Sequence, residues 1–538
     1  MLKRIRNIFS VALMSLLTVA CGGNQVSEQA AATPENLPSH WPKGITYEIF
    51  VQSFADSNGD GIGDFNGMTS KLDYLADLGV EAIWLMPIMK SPSYHKYDVV
   101  DYKSVHPDYG TEEEFKKFVE EAHKRNIRVV IDFIINHTSH EHWWFKESAK
   151  GDFITDENGK KVKNPYRDYF DWMTEKEAKA SIHWAKEAQG DSDNIIQWYQ
   201  NPYNKEDKEL FYGYFGDHMP DINYDNAEVK EAVFEIGKWW LAEMGIDGFR
   251  LDAAKHIFDH EEEKNHAFWV EFYNEMKTVK PDVYLVGEVW ADSDIVAPYL
   301  QGLQSLFNFD SSYAITDACK DADGTGLIDN YNAISAKYQA VQPNYVDATF
   351  ITNHDQNRAM SVLENDMDKA KMAASILMTF PGSPYLYYGE EIGMRGLKPD
   401  ELIREPFLWA KDAKENTTWG KAEYTTFETV ATAAAQQKDP NSILNHYKNL
   451  MHVRRAEDAL NMGEMTTIQV EGASKAILAF ERDYQGEKVL VFHNLGDQTE
   501  SLNFKAGDFS KVVLDTKNNK VKDDSIELAA YSTLILKK

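Results

Sequence analysis

Eight short apolar segments rich in β-forming residues recur along this 538-residue chain, and most of them are followed by a stretch with helical periodicity. The segments are Ile45–Phe54, Ala82–Ile88, Arg128–His137, Gly248–Ala254, Val283–Trp290, Leu306–Tyr313, Ala348–Asp355 and Pro384–Gly389. Alternation of strand and helix favours βαβ units and a parallel sheet. Eight such units predict an α/β fold of the (β/α)8, or TIM, barrel type.

The spacing of these segments divides the chain into domains. The interval between the third and fourth segments is long and rich in aromatic residues, which predicts a domain inserted at residues 138–225. The barrel is then expected at residues 41–137 and 226–455, with helices over Thr111–Arg125 and Ala227–Met244.

Short alternating runs separated by turns replace the strand–helix pattern in residues 456–538. This pattern predicts a small C-terminal all-β sandwich domain. Its expected strands are Ala476–Arg482, Lys488–Asn494, Glu500–Phe504, Lys511–Asp515 and Ser532–Leu536.

Residues 1–20 have the features of a targeting segment: a basic start, a short apolar run from Ile8 to Leu17, and small residues before Cys21. They resemble a bacterial lipoprotein signal peptide, which predicts lipidation of Cys21 and a flexible tether at residues 21–40. The alternative is an ordinary secretory signal. We therefore expect export, with a lipid anchor to a bacterial membrane, the outer membrane or cell surface, or otherwise a periplasmic or secreted protein.

The formal charge of −30 excludes several classes of partner. A strongly acidic surface repels phosphate backbones, so we expect no nucleic-acid binding. Binding to an anionic membrane through a basic face is disfavoured for the same reason, which leaves the lipid at Cys21 as the expected membrane contact.

Charged residues lie at the ends of several predicted barrel strands, where barrel enzymes carry their catalytic groups. A single acidic residue at such a position is most simply a helix cap or an ion-pair partner. Here, however, several acidic residues, an arginine and two histidines lie at equivalent positions of different strands. No phosphate loop, dinucleotide fingerprint, zinc signature or nucleophile elbow accompanies it. The set comprises Asp132, Asn136, His137, Arg250, Asp252, Glu288, His354 and Asp355.

This inventory fits glycoside hydrolysis by paired carboxyl groups. A nearby cation keeps a carboxyl group ionised, so Asp252 beside Arg250 is the candidate nucleophile. Glu288 lies between apolar residues, and burial raises the pKa of a carboxyl group as a general acid requires.

Four of these segments resemble, in order, the four motifs of the α-amylase family of glycoside hydrolases (family 13), and a fifth motif lies near the end of the insertion. The resemblance covers residues 41–538. It points to bacterial surface lipoprotein or secreted α-amylases, intermediate between the oligo-1,6-glucosidase and neopullulanase branches. The segments are Asp132–His137, Gly248–His256, Gly287–Trp290, Phe350–Asp355 and, for the fifth, Met219–Asn223.

The resemblance implies a role for each matching residue. Asp252 is expected to be the nucleophile, Glu288 the acid/base, and Asp355 a third carboxylate that helps to bind and distort the sugar. The implied reaction proceeds through a covalent intermediate and retains the α-configuration. The remaining matches are expected to bind substrate: Tyr97, Asp98, His137, Arg250, Lys255, His256 and His354.

Two of the motifs bear on specificity. The Lys255–His256 pair resembles enzymes that cut α-1,4 links in starch, whereas the Met219 start of the fifth motif resembles neopullulanase-like members. We expect a monomeric α-amylase acting on internal bonds of starch, glycogen and maltooligosaccharides. An exo-acting or transglycosylating relative (α-glucosidase, cyclomaltodextrinase or maltogenic amylase) is the alternative. A catalytically dead starch-binding lipoprotein is disfavoured because the three carboxylates are present.

Two calcium sites are predicted. The first is expected to stabilise the fold, and for the second the alternative is that the residues are present without a metal, as in many members of the family. The first is a loop with oxygen donors at alternate positions and a glycine at the tight turn, although an Asp/Asn/Gly turn without metal would look similar. Its ligands are Asp56, Asn58, Asp60, Asp64 and the Ile62 carbonyl. The second, between barrel and insertion, is implied by the resemblance alone and involves Asn136, Asp221 and the His256 carbonyl.

Overall fold

The computed structural model of the chain describes residues 39–181, 184 and 196–538. The predicted signal peptide, Cys21 and most of the predicted tether lie outside these residues. Within them, no helix has the length and apolar character that crossing a membrane requires. Cys319 is a buried free thiol.

Eight parallel strands close into a barrel in chain order, which confirms the predicted fold class. Each strand begins within a few residues of the start of a predicted segment and is shorter than that segment, because the last residues of the segment belong to the loop or helix that follows the strand. The barrel strands, numbered 1 to 8, are Thr46–Ile49, Ala82–Leu85, Arg128–Phe133, Gly248–Leu251, Tyr284–Gly287, Ser305–Phe307, Val346–Phe350 and Ser383–Tyr387.

Helices pack around the outside of the barrel. The helix Glu112–Lys124 begins with a capping box, in which the Thr111 hydroxyl accepts from the Glu114 amide and the Glu114 carboxylate accepts from the Thr111 amide. Both helices predicted from the sequence are present. The longer helices are Glu112–Lys124, Ala227–Glu243, Glu262–Val279, Phe309–Asp321, Leu327–Val341, Met367–Thr379 and Ile443–Ala456.

The segment between barrel strand 3 and the helix Ala227–Glu243 forms small sheets of its own. Strands Trp172–Thr174, Glu209–Tyr212 and Trp198–Gln200 make an antiparallel sheet, and Phe153–Thr155 pairs with Lys161–Lys163. Most of its aromatic rings are core residues, such as the buried ones at positions 144, 170 and 211, although those at 143 and 203 are about half exposed.

The C-terminal residues form two antiparallel sheets, as predicted. Arg482 is fully buried between the first of them and the barrel, where its guanidinium donates to the carbonyls of Thr379, 2.5 Å away, and Gly463. This contact fixes the C-terminal domain to the helix Met367–Thr379. The sheets are, in spatial order, Glu464–Thr467, Ile477–Tyr484, Glu487–Asn494, Ser532–Lys537 and Lys511–Asp515, then Glu500–Leu502, Ile526–Leu528 and Lys520–Val521.

Candidate active site

A cleft of about 810 Å³ opens at the carboxyl ends of the barrel strands. It brings together residues from the loops after several strands and from the insertion. The lining residues are His95, Tyr97, His137, Phe215, Met219, Asp252, Ala253, Lys255, His256, Glu288, Trp290, Asp355, Lys398, Asp400 and Arg404.

Arg250 lies fully buried at the base of this cleft and contacts three carboxylates. Its Nη1 atom donates to Asp132, 2.8 Å away, and to Asp252, 2.5 Å away. Its Nη2 atom lies 2.8 Å from Oε1 of Glu288. One guanidinium therefore holds both candidate catalytic carboxylates, on separate nitrogens.

Strand register explains this convergence. Arg250 pairs with Asp132 of the neighbouring strand, and Asp252 shares a face with Arg250 because alternate residues of a strand point the same way. The residue before Asp252 pairs with Gly287. Asp252 and Glu288 therefore leave adjacent strands at the same level.

Burial governs the protonation of this cluster. Burial raises the pKa of Glu288 to about 7, and the neighbouring Asp252 adds to the increase while Arg250 opposes it. Burial likewise raises the pKa of Asp132 to about 7, again against Arg250. A carboxyl group that holds its proton near neutral pH can act as a general acid.

Asp355 lies across the cleft in a cationic environment. Its carboxylate is 3.0 Å from Nε2 of His354 and accepts from Arg404 at 2.9 Å. Burial alone would raise the pKa of Asp355, but His354 and Arg404 lower it below the ordinary range. Asp355 is therefore ionised where Glu288 is protonated.

The predicted sugar-contacting residues occupy different depths. Tyr97 lines the cleft, donates to Asp132 at 3.0 Å, and stacks on the buried His354 ring at 5.5 Å and 7°. His137 also lines the cleft, with Nε2 3.2 Å from the Tyr97 carbonyl. The Lys255 ammonium donates to the Trp290 carbonyl at 3.0 Å.

Asp98 is buried beneath the cleft and is not among its lining residues. Its carboxylate accepts from the hydroxyls of Ser91, at 2.7 Å, and Ser93. Asp98 thus holds the loop that carries Tyr97, and its contact with a sugar stays a prediction.

Arg404 is the main site residue that the sequence did not indicate. It is buried, bridges Asp355 and Asp400 at 2.9 Å each, and donates to the His354 carbonyl at 3.0 Å. It lies in an irregular segment after barrel strand 8, where no periodicity or motif distinguishes it.

The first predicted calcium loop is already folded by its own side chains. Asp56 accepts from three backbone amides of the loop, Asn58 from the Asp60 amide, and Asp60 from the Ile62 amide. Asp64 caps the following helix by accepting from the Gly67 amide. The donor set is all oxygen, as calcium prefers, but no three acidic, histidine or cysteine side chains of the described residues gather as metal ligands.

The second predicted calcium site contains a buried oxygen atom that lacks a hydrogen-bond partner among the described residues. Asn136 is 1% exposed, its Nδ2 donates to Asp221 at 3.1 Å, and its Oδ1 has no hydrogen-bond partner among the described residues. Burial raises the pKa of Asp221 to about 8, and nearby Asp259 contributes. A buried amide oxygen without a donor, beside the carboxylate of Asp221, fits a cation that bridges barrel and insertion.

Comparison with known proteins agrees with this geometry. The family model "Alpha amylase, catalytic domain" matches residues 48–463, and "Alpha-amylase SusG C-terminal domain" matches residues 477–535. Alpha-amylase 3 of Dictyoglomus thermophilum is 42% identical over 500 residues, which span 92% of this chain and 94% of that protein. A 4-alpha-glucanotransferase of Thermotoga neapolitana is 34% identical over 461 residues, 84% of this chain and 96% of that protein.

A solved structure extends the likeness to three dimensions. The crystal structure of alpha-amylase from H. orenii superposes with a TM-score of 0.82 at 41% identity, covering 92% of this chain and 99% of the other. The match spans barrel and C-terminal sheets. This chain is a member of the α-amylase family of glycoside hydrolases, family 13.

Proposed function

We propose that this glycoside hydrolase is an α-amylase that cleaves internal α-1,4-glucosidic bonds of starch, glycogen and maltooligosaccharides with retention of configuration. The observation that carries the proposal is the contact of Arg250 with both Asp252 and Glu288 at the base of the cleft. The name of the 42% identical relative from Dictyoglomus supports the choice of substrate.

In the first step, a carboxylate oxygen of Asp252 attacks the anomeric carbon, and the bond to the leaving oxygen breaks as Glu288 gives that oxygen its proton. The high pKa of Glu288, caused chiefly by burial, provides the proton near neutral pH. In the second step, ionised Glu288 takes a proton from water, and the resulting hydroxide oxygen displaces Asp252 from the sugar.

The other cleft residues would bind the substrate. Asp355, held by His354 and Arg404, presents a fixed carboxylate to sugar hydroxyls. The half-buried Tyr97 ring offers an aromatic face beneath the cleaved sugar. Lys255 and His256 also line the cleft and are assigned to the leaving-group side.

A transglycosylating or exo-acting enzyme is the second candidate. The chemistry of the first step is the same in both. In a transglycosylating enzyme a glucan hydroxyl replaces water in the second step, whereas an exo-acting hydrolase still uses water and differs in which bond of the chain it cleaves. The 34% identical 4-alpha-glucanotransferase favours this alternative.

A time course on dye-linked soluble starch and on maltose, with products sized by chromatography, separates the candidates. An α-amylase loses starch viscosity early, releases a spread of maltooligosaccharides and leaves maltose almost intact. Glucose from maltose with starch barely attacked would identify an α-glucosidase. Products longer than the supplied maltooligosaccharide would identify a transferase.

Two structural calcium ions complete the proposal. Asn136, Asp221 and the His256 carbonyl would hold one, and the loop from Asp56 to Asp64 the other. A bound calcium would supply positive charge that compensates buried oxygens and would take no part in bond cleavage. We also propose that lipidation of Cys21 anchors the exported enzyme to a bacterial membrane.

A further inference from the structure

His354 is held at both ring nitrogens beneath the cleft. Its Nδ1 atom lies 2.5 Å from Oε1 of Glu48, and its Nε2 atom lies 3.0 Å from Oδ2 of Asp355. His354 is 0% exposed and Glu48 2% exposed, so water does not compete for these contacts. Only a ring protonated on both nitrogens can donate to carboxylates on both sides.

Tyr97 extends this arrangement across the base of the cleft. Its hydroxyl oxygen lies 2.5 Å from Nε2 of His354, and its proton is donated to Asp132 at 3.0 Å. A hydroxyl has one proton, so the oxygen of Tyr97 accepts from His354 while it donates to Asp132. The single Nε2 proton of His354 is then shared between this oxygen and the carboxylate of Asp355. Asp132 in turn accepts from Arg250 at 2.8 Å. The proton on Nε2 therefore sets the direction of every hydrogen bond between His354 and Arg250.

We propose that Glu48 is a positioning residue of the cleavage site, whose carboxylate keeps His354 protonated on both nitrogens and so fixes the side chains of Tyr97 and Asp355. The consequence for rate rests on the proposed function. The proton content of the His354 ring does not, because it follows from the buried contacts of the ring with Glu48 and Asp355.

The charges around His354 come from several elements. Burial would lower the pKa of His354, but Asp355 and Glu48 raise it to about 10. Without the Glu48 charge, Asp355 is the main group that still raises the pKa of His354 against the lowering effect of burial. The ionisable groups that face or surround the ring are Glu48 of barrel strand 1, Tyr97 after strand 2, Asp132 of strand 3, Arg250 of strand 4, Glu288 after strand 5, Asp355 next to His354 after strand 7, and Arg404 after strand 8.

Glu48→Gln removes the negative charge next to His354 and keeps the size of the side chain. The amide oxygen of glutamine still accepts from Nδ1, so the ring keeps its place, but the counter-charge is gone. When His354 then loses its Nε2 proton, the nitrogen lone pair faces Asp355, which loses a donor. Tyr97 can turn its proton from Asp132 to the ring, and the base of the cleft rearranges.

Imidazole ¹⁵N NMR of histidine-labelled protein tests the charge directly. The chain has 16 histidines, and a His354→Gln variant assigns the signal by difference. We expect wild-type His354 to stay protonated on both nitrogens beyond pH 9, and Glu48→Gln to release the Nε2 proton at least one pH unit lower. Glu48→Asp, which keeps the charge, should titrate like the wild type.

Glu391→Gln is the matched control. Glu391 is a buried carboxyl group that accepts from the hydroxyls of Tyr47 and Tyr74 and does not contact His354, so its replacement should leave the His354 signal and the pH profile unchanged. A neutral His354 in the wild type at pH 7, or an unaltered titration in Glu48→Gln, would overturn the proposal. The first result needs only the His354→Gln variant that assigns the signal and does not depend on whether Glu48→Gln folds.

Kinetics test the positioning role. We would measure kcat/KM on a nitrophenyl maltooligosaccharide for Glu48→Gln and for the wild type, and divide the first value by the second at each pH. This ratio should fall about tenfold per pH unit above the pH at which His354 titrates in the variant. A ratio that does not change with pH would exclude the positioning role. A wild type inactive on every glucan would refute the proposed function instead, and the NMR result would still decide the charge of His354.

Discussion

The side chain of Arg250, in barrel strand 4, meets the side chain of Asp252, the residue directly after that strand, at 2.5 Å. The same guanidinium reaches Glu288 with its other terminal nitrogen. One buried cation thus fixes the spacing between the carboxylate that would attack the sugar and the carboxyl group that would protonate the leaving oxygen. Such preorganisation is worth several orders of magnitude in rate.

Asp252→Asn should abolish hydrolysis, because an amide cannot form the glycosyl ester. We expect kcat on maltooligosaccharides to fall at least about 10⁴-fold, the scale seen when a nucleophile is removed. Asp225→Asn is the control, since Asp225 is an exposed carboxylate paired with Lys264 at 3.1 Å. Full activity in Asp252→Asn would remove Asp252 from the nucleophile role.

The pH dependence of kcat/KM should follow Glu288. Its pKa is raised to about 7 by burial, and the first step needs the protonated form. Activity should therefore be lost as pH rises through about 7, by tenfold per unit once the acid is mostly ionised. Glu288→Gln, assayed on a substrate whose leaving group needs no proton, should lack this alkaline limb. An unchanged limb in that variant would assign it to another group.

Much of this arrangement follows from local sequence, and the exceptions have a common cause. Asp252 could be placed beside Arg250 because residues two apart on a strand share a face. Glu288 could be recognised by the apolar residues that flank it. Arg404 could not be recognised from the sequence, because its contact with Asp355 depends on how the segment after barrel strand 8 folds back over the barrel. The contact of Asp98 with the Ser91 hydroxyl could not be predicted either, because it too depends on how a loop folds.

Arg404→Lys should weaken sugar binding while leaving the chemical groups in place. Lysine keeps the charge but cannot bridge Asp355, Asp400 and the His354 carbonyl at once, as the planar guanidinium does. Loss of charge-assisted hydrogen bonds worth about 1.5–3 kcal/mol should lower kcat/KM about 10–100-fold. Steady-state kinetics should place much of the loss in KM, and wild-type values would show that Asp355 needs no such support.

Calcium should raise the unfolding temperature if the buried oxygens near Asn136 bind it. An ion that binds only the folded state at 100 times its Kd stabilises by about 2.7 kcal/mol. Asp221→Asn keeps the shape of the side chain and removes its charge, so Tm in calcium should drop while Tm in EDTA should not. Asp60→Asn tests the first loop in the same way. Equal Tm values for the wild type in calcium and EDTA would refute both sites.

Gly248→Ala should destabilise the barrel at the strand that carries the candidate nucleophile. A Cβ atom at Gly248 would lie 2.0 Å from the carbonyl oxygen of Tyr284 in the adjacent strand, a backbone atom that cannot rotate away. Forced expansion of a packed interior costs about 1–3 kcal/mol, and here it would separate the strands that lead to Asp252 and Glu288. We expect a lower Tm and a reduced kcat together.

The control for that substitution is Gly420→Ala, because a Cβ atom at Gly420 would meet nothing within 4 Å. Its Tm and kcat should stay at wild-type values. If Gly248→Ala lowers Tm but leaves kcat intact, the two strands can separate at their amino ends without disturbing their carboxyl ends. The spacing of the two carboxyl groups would then be fixed by Arg250 rather than by the strand pairing beneath it, since the guanidinium contacts both groups directly.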